Sequence, residues 1–523
     1  MKIWVVSMEC AGIIEAGGVK NVTYSLCKEF SLLKHDVTLF IPVYKTNEWK
    51  LITDFQNNVF ENHEIFHCGK NEMVSYSTGK FADGNFKVVF INHPVFGEKE
   101  AVYTYTENES RLNPEHRKGK GHVDTLFSDA LFAKSVIEYG SLNPAQLPEI
   151  IHCQDASTAL VPAFSKFLPC HDLYNKTKSI VTIHNAGPAY HHNYSSMGEA
   201  FWYTGLPEKL LTDSLNDFRI EPFLIAHNSG ACLTTVSENY AKELSDPFYN
   251  NETEGLATVF FTKGIKIKGI TNGIDVERYN PVNTKESLLP YAYDPKTGDL
   301  EGKFNCRRDF VLKLNDPDYI IPDTTKYGKI DYSSEEKQIY IAYHGRITHQ
   351  KGLNVLLDSI PAILSNYNEV RFIIMGQGDS ELENEIIKLT TSYSGKICFI
   401  NGYERSAARL TTAVCDFIVL PSFFEPCGLE DFIAQIFGTV PVAHKTGGLN
   451  KIINEKNGFL YSNNTHEELI AKLSEVISIK KHNPKMISRI IKEGARYTEK
   501  KYLWRSVIKN NYLPFFKEIL KNN

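Results

Sequence analysis

The chain has 523 residues, too many for one hydrophobic core, so two or three domains are expected. Its 57 basic and 62 acidic residues are well mixed and give a net charge of −5, which argues against a nucleic-acid-binding surface. No apolar run approaches the length of a membrane span, and Met1-Lys2-Ile3-Trp4-Val5-Val6-Ser7 is too short for a signal peptide.

In chain order, short β-branched runs alternate with longer amphipathic stretches. Strands are expected at Ile3–Ser7, Val37–Ile41, Val88–Ile91, Ile150–Cys153, Ile180–Ile183 and Cys232–Val236. A second series follows at Ile339–Tyr343, Val370–Met375, Ile397–Ile400, Phe417–Leu420 and Val440–Ala443. Helices are expected between them, among them Val22–Leu33, Thr125–Tyr139 and Leu353–Ser365. This alternation predicts an α/β fold of two doubly wound domains with parallel sheets. The hinge is expected near 265–280, dividing a first domain (1–265) from a second (266–500). An aromatic-rich helical tail (501–523) packs back on the first. The stretch 282–335 reads as a loop-rich connection with one helix near 301–314.

The ten cysteines include no CxxC pair, so neither a zinc site nor a redox motif is suggested. They read as reduced thiols of a cytosolic protein.

The densest motif is Pro421-Ser422-Phe423-Phe424-Glu425-Pro426-Cys427-Gly428-Leu429, followed by Lys445-Thr446-Gly447-Gly448-Leu449. It places the Glu425 carboxylate at the carboxyl end of an apolar strand, where open α/β sheets bind ligands. Cys427-Gly428 admit close backbone approach, and a helix reading Leu429 to Phe437 starts there. One carboxylate beside several N–H donors suits a ligand with both hydroxyls and phosphates, such as a nucleotide sugar. Gly345-Arg346-Ile347-Thr348-His349-Gln350-Lys351-Gly352 also follows a strand. Its two cations are either solvated surface groups or a clamp on a diphosphate, whose charge grows as the bond to sugar breaks. Gly17-Gly18 is either a tight turn or a phosphate-approaching loop. His184 ends a strand as a structural residue or a substrate contact. Asp155 reads as a helix N-cap or a site residue. Asn272-Gly273 reads most simply as a turn, and Tyr403 as core edge or a platform for a base.

Together these motifs resemble bacterial-type glycogen synthases and starch synthases over nearly the whole length. The resemblance rests on the Gly17-Gly18 loop, Thr234-Thr235-Val236-Ser237, Asn272-Gly273-Ile274-Asp275, Gly345-Arg346 with Gln350-Lys351-Gly352, Phe424 to Leu429, and Gly438-Thr439-Val440-Pro441-Val442 with Thr446 to Leu449. It implies the GT-B architecture, two Rossmann-like domains facing across a cleft. The implied activity is retaining transfer of glucose from ADP-glucose to the non-reducing end of an α-1,4-glucan, with no metal and no cofactor. By the same resemblance Arg346 and Lys351 hold the diphosphate and Glu425 binds sugar hydroxyls. Backbone at Cys427, Gly428 and Leu429 contacts the sugar, and Tyr403 stacks on the base. His184 and Asn272 lie near the reacting centre, Gly18 approaches the diphosphate, and Glu15 and Asp155 line the substrate side.

Two departures stand out. The family's Lys-Thr-Gly-Gly-Leu-Ala-Asp is here Glu15-Ala16-Gly17-Gly18-Val19-Lys20-Asn21, and its Asp-Trp-His is Asp155-Ala156-Ser157. An acidic Glu15 facing a diphosphate is expected to repel it, by several kcal/mol if dry and less if solvated, with Lys20 the candidate replacement for the lost cation. These changes keep two alternatives open: another donor or acceptor such as UDP-glucose, or a binding protein without turnover.

Overall fold

The computed structural model describes residues 1–333 and 337–521. The chain forms two compact units: Met1–Asn272 together with the chain from Val507 onward, and Gly273–Ser506.

The first unit is built on a nine-stranded sheet. Its strands are β1 (Lys2–Val6), β2 (Asp36–Pro42), β3 (Ile52–His67), β4 (Lys70–Phe81), β5 (Lys87–Asn92), β6 (Ile150–Gln154), β7 (Lys178–Ile183), β10 (Cys232–Thr235) and β11 (Ile267–Gly269). A separate two-stranded ribbon joins β8 (Leu215–Asn216) to β9 (Arg219–Ile220). The sheet order is β11-β10-β7-β6-β1-β2-β5-β4-β3. Chain order reverses between β1 and β6, so the loops leaving these two strands open the topological switch point where such sheets bind ligands. The central strands are largely apolar and buried over most of their length, as parallel strands covered by helices must be.

Three expectations are corrected. The sheet is mixed, because β3 and β4 form an antiparallel hairpin against β5. β3 escapes sequence reading because it is an edge strand with mostly polar, exposed residues, and three register shifts break its alternation. The division between the units, at 272/273, falls inside the expected hinge, but the first unit runs past residue 265: Ile267–Gly269 pairs with β10 as the sheet's edge. At the other end the boundary falls at 506/507 rather than 500/501. In the tail helix Leu513–Lys521, the Phe516 ring stacks on Phe30 at 5.4 Å, with both residues fully buried.

The second unit has a seven-stranded sheet: β12 (Thr324–Ile330), β13 (Ile339–His344), β14 (Val370–Gly376), β15 (Lys396–Gly402), β16 (Phe417–Leu420), β17 (Val440–His444) and β18 (Phe459–Tyr461). The order is β12-β15-β14-β13-β16-β17-β18, so the switch point lies between β13 and β16. All pairings are parallel except β12 with β15. β12 lies inside the stretch expected to be loop. Its half-exposed, lysine-bearing sequence is that of an edge strand. Positions 334 and 335 of that stretch lie outside the described residues. The helix Glu301–Asn315 matches the expected one closely, and no described helix is long and apolar enough to cross a membrane.

Candidate functional site

In the second unit, the loops after β13 and β16 leave adjacent strands and are stitched together. Phe423 N–H donates to Gln350 O at 3.0 Å. Gly352 has φ +69, and a Cβ there would stand 1.8 Å from the Pro421 carbonyl oxygen, so only glycine lets the loops meet. Across this seam Lys351 Nζ donates to Glu425 Oε2 at 2.5 Å, and Ser422 Oγ donates to the same oxygen at 3.1 Å. Burial pushes the Glu425 carboxyl up, but the Lys351 charge and hydrogen bond, helped by Lys451, outweigh it and hold the acid below its ordinary range. Glu425 is therefore a carboxylate, ready to accept hydrogen bonds from hydroxyl groups.

Arg346 is exposed and held by Gln350, whose Oε1 accepts from Nη2 at 3.2 Å. Cys427 is 8% exposed, and Gly428 takes φ +71. The helix beyond is Glu430–Ile436, two residues shorter than the stretch from Leu429 to Phe437 read from sequence. Tyr403, after β15, is 57% exposed, and its ring stacks on His344 at 6.4 Å and 25°. His344 Nδ1 lies 3.0 Å from Glu430 Oε2. Burial disfavours its charge, but Glu430 overcomes this and raises its pKa. Arg346, Lys351, Glu425, Cys427, Gly428 and Leu429 thus cluster on two adjoining loops, with Tyr403 on a third.

In the first unit, the loop after β1 is organised by a residue the sequence reading missed. Glu9 is fully buried, and its Oε2 accepts from the N–H groups of Ala16 (2.9 Å) and Gly17 (2.6 Å). Tyr103 OH donates to its other oxygen at 3.3 Å. A carboxylate three residues past an apolar strand was the available signal. Gly18 differs from Gly17: a Cβ on Gly18 would meet no protein atom within 4 Å, so packing does not require glycine there.

Glu15 is paired within its own loop. Lys20 Nζ lies 2.9 Å from Glu15 Oε2, while Glu15 Oε1 accepts from Gly12 N–H at 3.1 Å. Lys20 is the second residue of the helix Val19–Leu32, and its side chain reaches back over the loop.

Asp155 follows β6 with φ +66, an uncommon backbone for a non-glycine residue and a mark of functional sites. It makes no N-capping bond to the short helical turn after it; Oδ1 instead accepts from His184 N–H at 3.3 Å. Burial pushes its pKa up to about 7 against the opposing N–H bonds of His184, Asn185 and Ala156 and the charge of His192. His184 Nε2 pairs with Gln154 Oε1 at 2.8 Å. Burial drops the His184 pKa to about 3, so the ring is neutral and offers hydrogen bonds rather than charge. Asn272, the last residue of this unit, is 4% exposed, and its Oδ1 finds no hydrogen-bond partner among the described residues. Loops after β1, β6 and β7 thus carry Gly18, Asp155 and His184 on neighbouring strands, with Asn272 beyond β11 at the sheet's edge.

Residues 2–259 match the family described as starch synthase catalytic domain, and residues 329–493 match glycosyl transferases group 1. A glycogen synthase from Thermodesulfovibrio yellowstonii is 29% identical over 512 residues, covering 94% of this chain and 93% of its own. One from Photobacterium profundum is 27% identical over 508 residues, covering 94% and 90%. The catalytic domain of starch synthase IV from Arabidopsis thaliana, solved with ADP and acarbose, superposes with a TM-score of 0.80 at 22% identity over 99% of both chains. The chain belongs to the glycogen and starch synthase family of glycosyltransferases.

Within this glycogen synthase relative, the altered first loop is internally compensated: the acid at 15 meets the base at 20. Glu15→Lys should therefore not raise transferase activity; two ammonium groups would face each other, and initial rates should stay level or fall. A rise above about threefold would show that Glu15 acts as an uncompensated charge. Asp155 gives a second test. Its folded pKa is raised, so folding favours the protonated form; that stabilisation is full below the ordinary value of 3.8 and is lost as pH climbs towards about 7. Asp155→Asn should flatten the decline of stability over that interval in denaturant melts at several pH values. An unchanged slope would contradict the assignment.

Proposed function

We propose that the protein extends α-1,4-glucans by moving glucose from ADP-glucose to the chain's non-reducing end, with retention of anomeric configuration. The observation that carries this reading is the Lys351–Glu425 pair, set between two glycine-bearing loops at a sheet switch point. Long matches to proteins named glycogen synthase, and a neighbour solved with ADP and acarbose, support the choice of a glucan acceptor and an adenine nucleotide.

In this reading the second unit binds the donor. Arg346 and Lys351 take the charge that builds on the departing diphosphate. Both are fixed cations, which supply the electrostatic stabilisation that a metal ion provides elsewhere. Glu425 accepts hydrogen bonds from hydroxyls of the glucose, backbone N–H groups at Gly428 and Leu429 contact the sugar, and Tyr403 carries the base. The first unit serves the acceptor side. Its candidate residues for that role are Gly18, whose backbone is open, with Asp155, neutral His184 and Asn272. The C1–O bond to diphosphate breaks, the acceptor oxygen attacks the same face, and its proton passes to the leaving phosphate oxygen. No protein base is then needed. The ten described cysteines are free and mostly buried, which suits action in the cytoplasm.

Pairing of Glu15 with Lys20 favours turnover over a binding-only homologue. Nucleoside diphosphate release should be measured with ADP-glucose and UDP-glucose, with and without glycogen. Glycogen-dependent ADP release, at least tenfold faster than UDP release, is expected. Faster UDP release would reassign the donor. Binding without release from either donor would overturn the enzymatic reading.

A further inference from the structure

Lys451 sits beneath the loops that carry the second-unit cluster, and nothing in its sequence setting marks it. Its side chain is 6% exposed and turned inward. Nζ donates to three backbone carbonyls: Cys427 O at 2.5 Å, Gly428 O at 2.7 Å and Gly448 O at 3.1 Å. It also meets Asp431 Oδ1 at 2.9 Å, on a residue with no exposure, and lies over the Phe432 ring at 4.3 Å from its centroid. One ammonium therefore ties the loop 426–429 to the loop 446–449. Gly448 N–H closes the same seam by donating to Glu425 O at 2.7 Å. The fit leaves no slack: a Cβ on Gly448 would stand 1.9 Å from Cys427 O.

The consequence follows from peptide geometry. In a trans peptide the C=O and the following N–H point in opposite directions. Drawing the carbonyls of Cys427 and Gly428 onto Lys451 therefore aims the N–H groups of Gly428 and Leu429 away from it. These are the donors assigned above to the glucose moiety. A buried ammonium is costly unless paired, and Asp431 supplies the pairing while Phe432 covers it.

We propose that Lys451 is a positioning residue for the sugar half of the donor site, orienting the Gly428 and Leu429 amides and locking both glycine loops beside Glu425. The identity of the sugar rests on the proposed function; the orientation of the loops does not. The role is separate from the diphosphate clamp, because Lys451 contacts neither Arg346 nor Lys351 and faces the loops from below.

Removing Lys451 alone would strand Asp431 as a buried charge and risk unfolding. The test therefore uses the paired replacement Asp431→Leu with Lys451→Met, which removes both charges at similar volume, and Lys451→Arg beside it. A guanidinium fork cannot direct three donors at three carbonyls from one atom. Thermal melts establish that each variant is folded. Calorimetry is then run with ADP and with ADP-glucose. The paired variant should bind ADP-glucose at least tenfold more weakly and ADP within threefold of the parent, and Lys451→Arg should show the same selectivity at smaller size. Unchanged ADP-glucose affinity, or equal weakening of both ligands, would overturn the proposal. Amide exchange over residues 426–430 is read without ligand, and should quicken at least tenfold in the paired variant. Unaltered exchange counts against Lys451. If the parent binds no nucleotide sugar while exchange quickens, the proposed function fails and the positioning role stands.

Discussion

The second unit turns on one ionic contact, Lys351 with Glu425, made across the seam between the loops after β13 and β16. The two side chains are 23% and 16% exposed, sheltered enough that neither charge is fully screened. Everything nearby maintains that contact. Gly352 lets the loops touch, Gln350 bridges them through backbone, Ser422 shares the carboxylate, and Lys451 fixes the floor. The pair also has a chemical consequence. A lysine already paired with a carboxylate is held in place before a diphosphate arrives, and a carboxylate held ionised can accept from sugar hydroxyls.

The first unit solves a related problem with opposite charge. There a buried acid, Glu9, takes the amides of Ala16 and Gly17, shaping the glycine loop from inside. In the second unit a buried base, Lys451, takes carbonyls. Each arrangement fixes a loop by engaging the backbone groups on its inner side. The first leaves Gly18 open, and the second turns amides outward. Both loops leave strands at the switch point of their sheet, where the fold itself provides the opening.

Much of this was legible in the sequence, for identifiable reasons. Strands such as Phe417–Leu420 and the Val88–Ile91 part of β5 are buried on both faces, so their apolar runs are continuous and easily read. Glu425, Arg346 and Lys351 were legible because strand ends and glycines bracket them. The edge strands β3 and β12 were not legible, because a solvated edge carries polar residues and bulges that erase alternation. Glu15 was read as an anion that repels a diphosphate, since a residue string does not show that Lys20 folds back onto it. Lys451 escaped notice because it acts on backbone atoms more than twenty residues away, and such contacts leave no local pattern; Glu9 acts within its own loop, and its place just after a strand was a signal left unused.

The central claim is that Lys351 and Glu425 act as one unit on the donor. The most direct measurement is a double-mutant cycle on kcat/KM for the sugar donor, using Lys351→Met, Glu425→Gln and the pair. The account predicts a coupling free energy of at least about 1.5 kcal/mol, with the double variant little worse than the poorer single one. Effects that simply add, with coupling below about 0.5 kcal/mol, would show that the two residues work apart and would contradict the account.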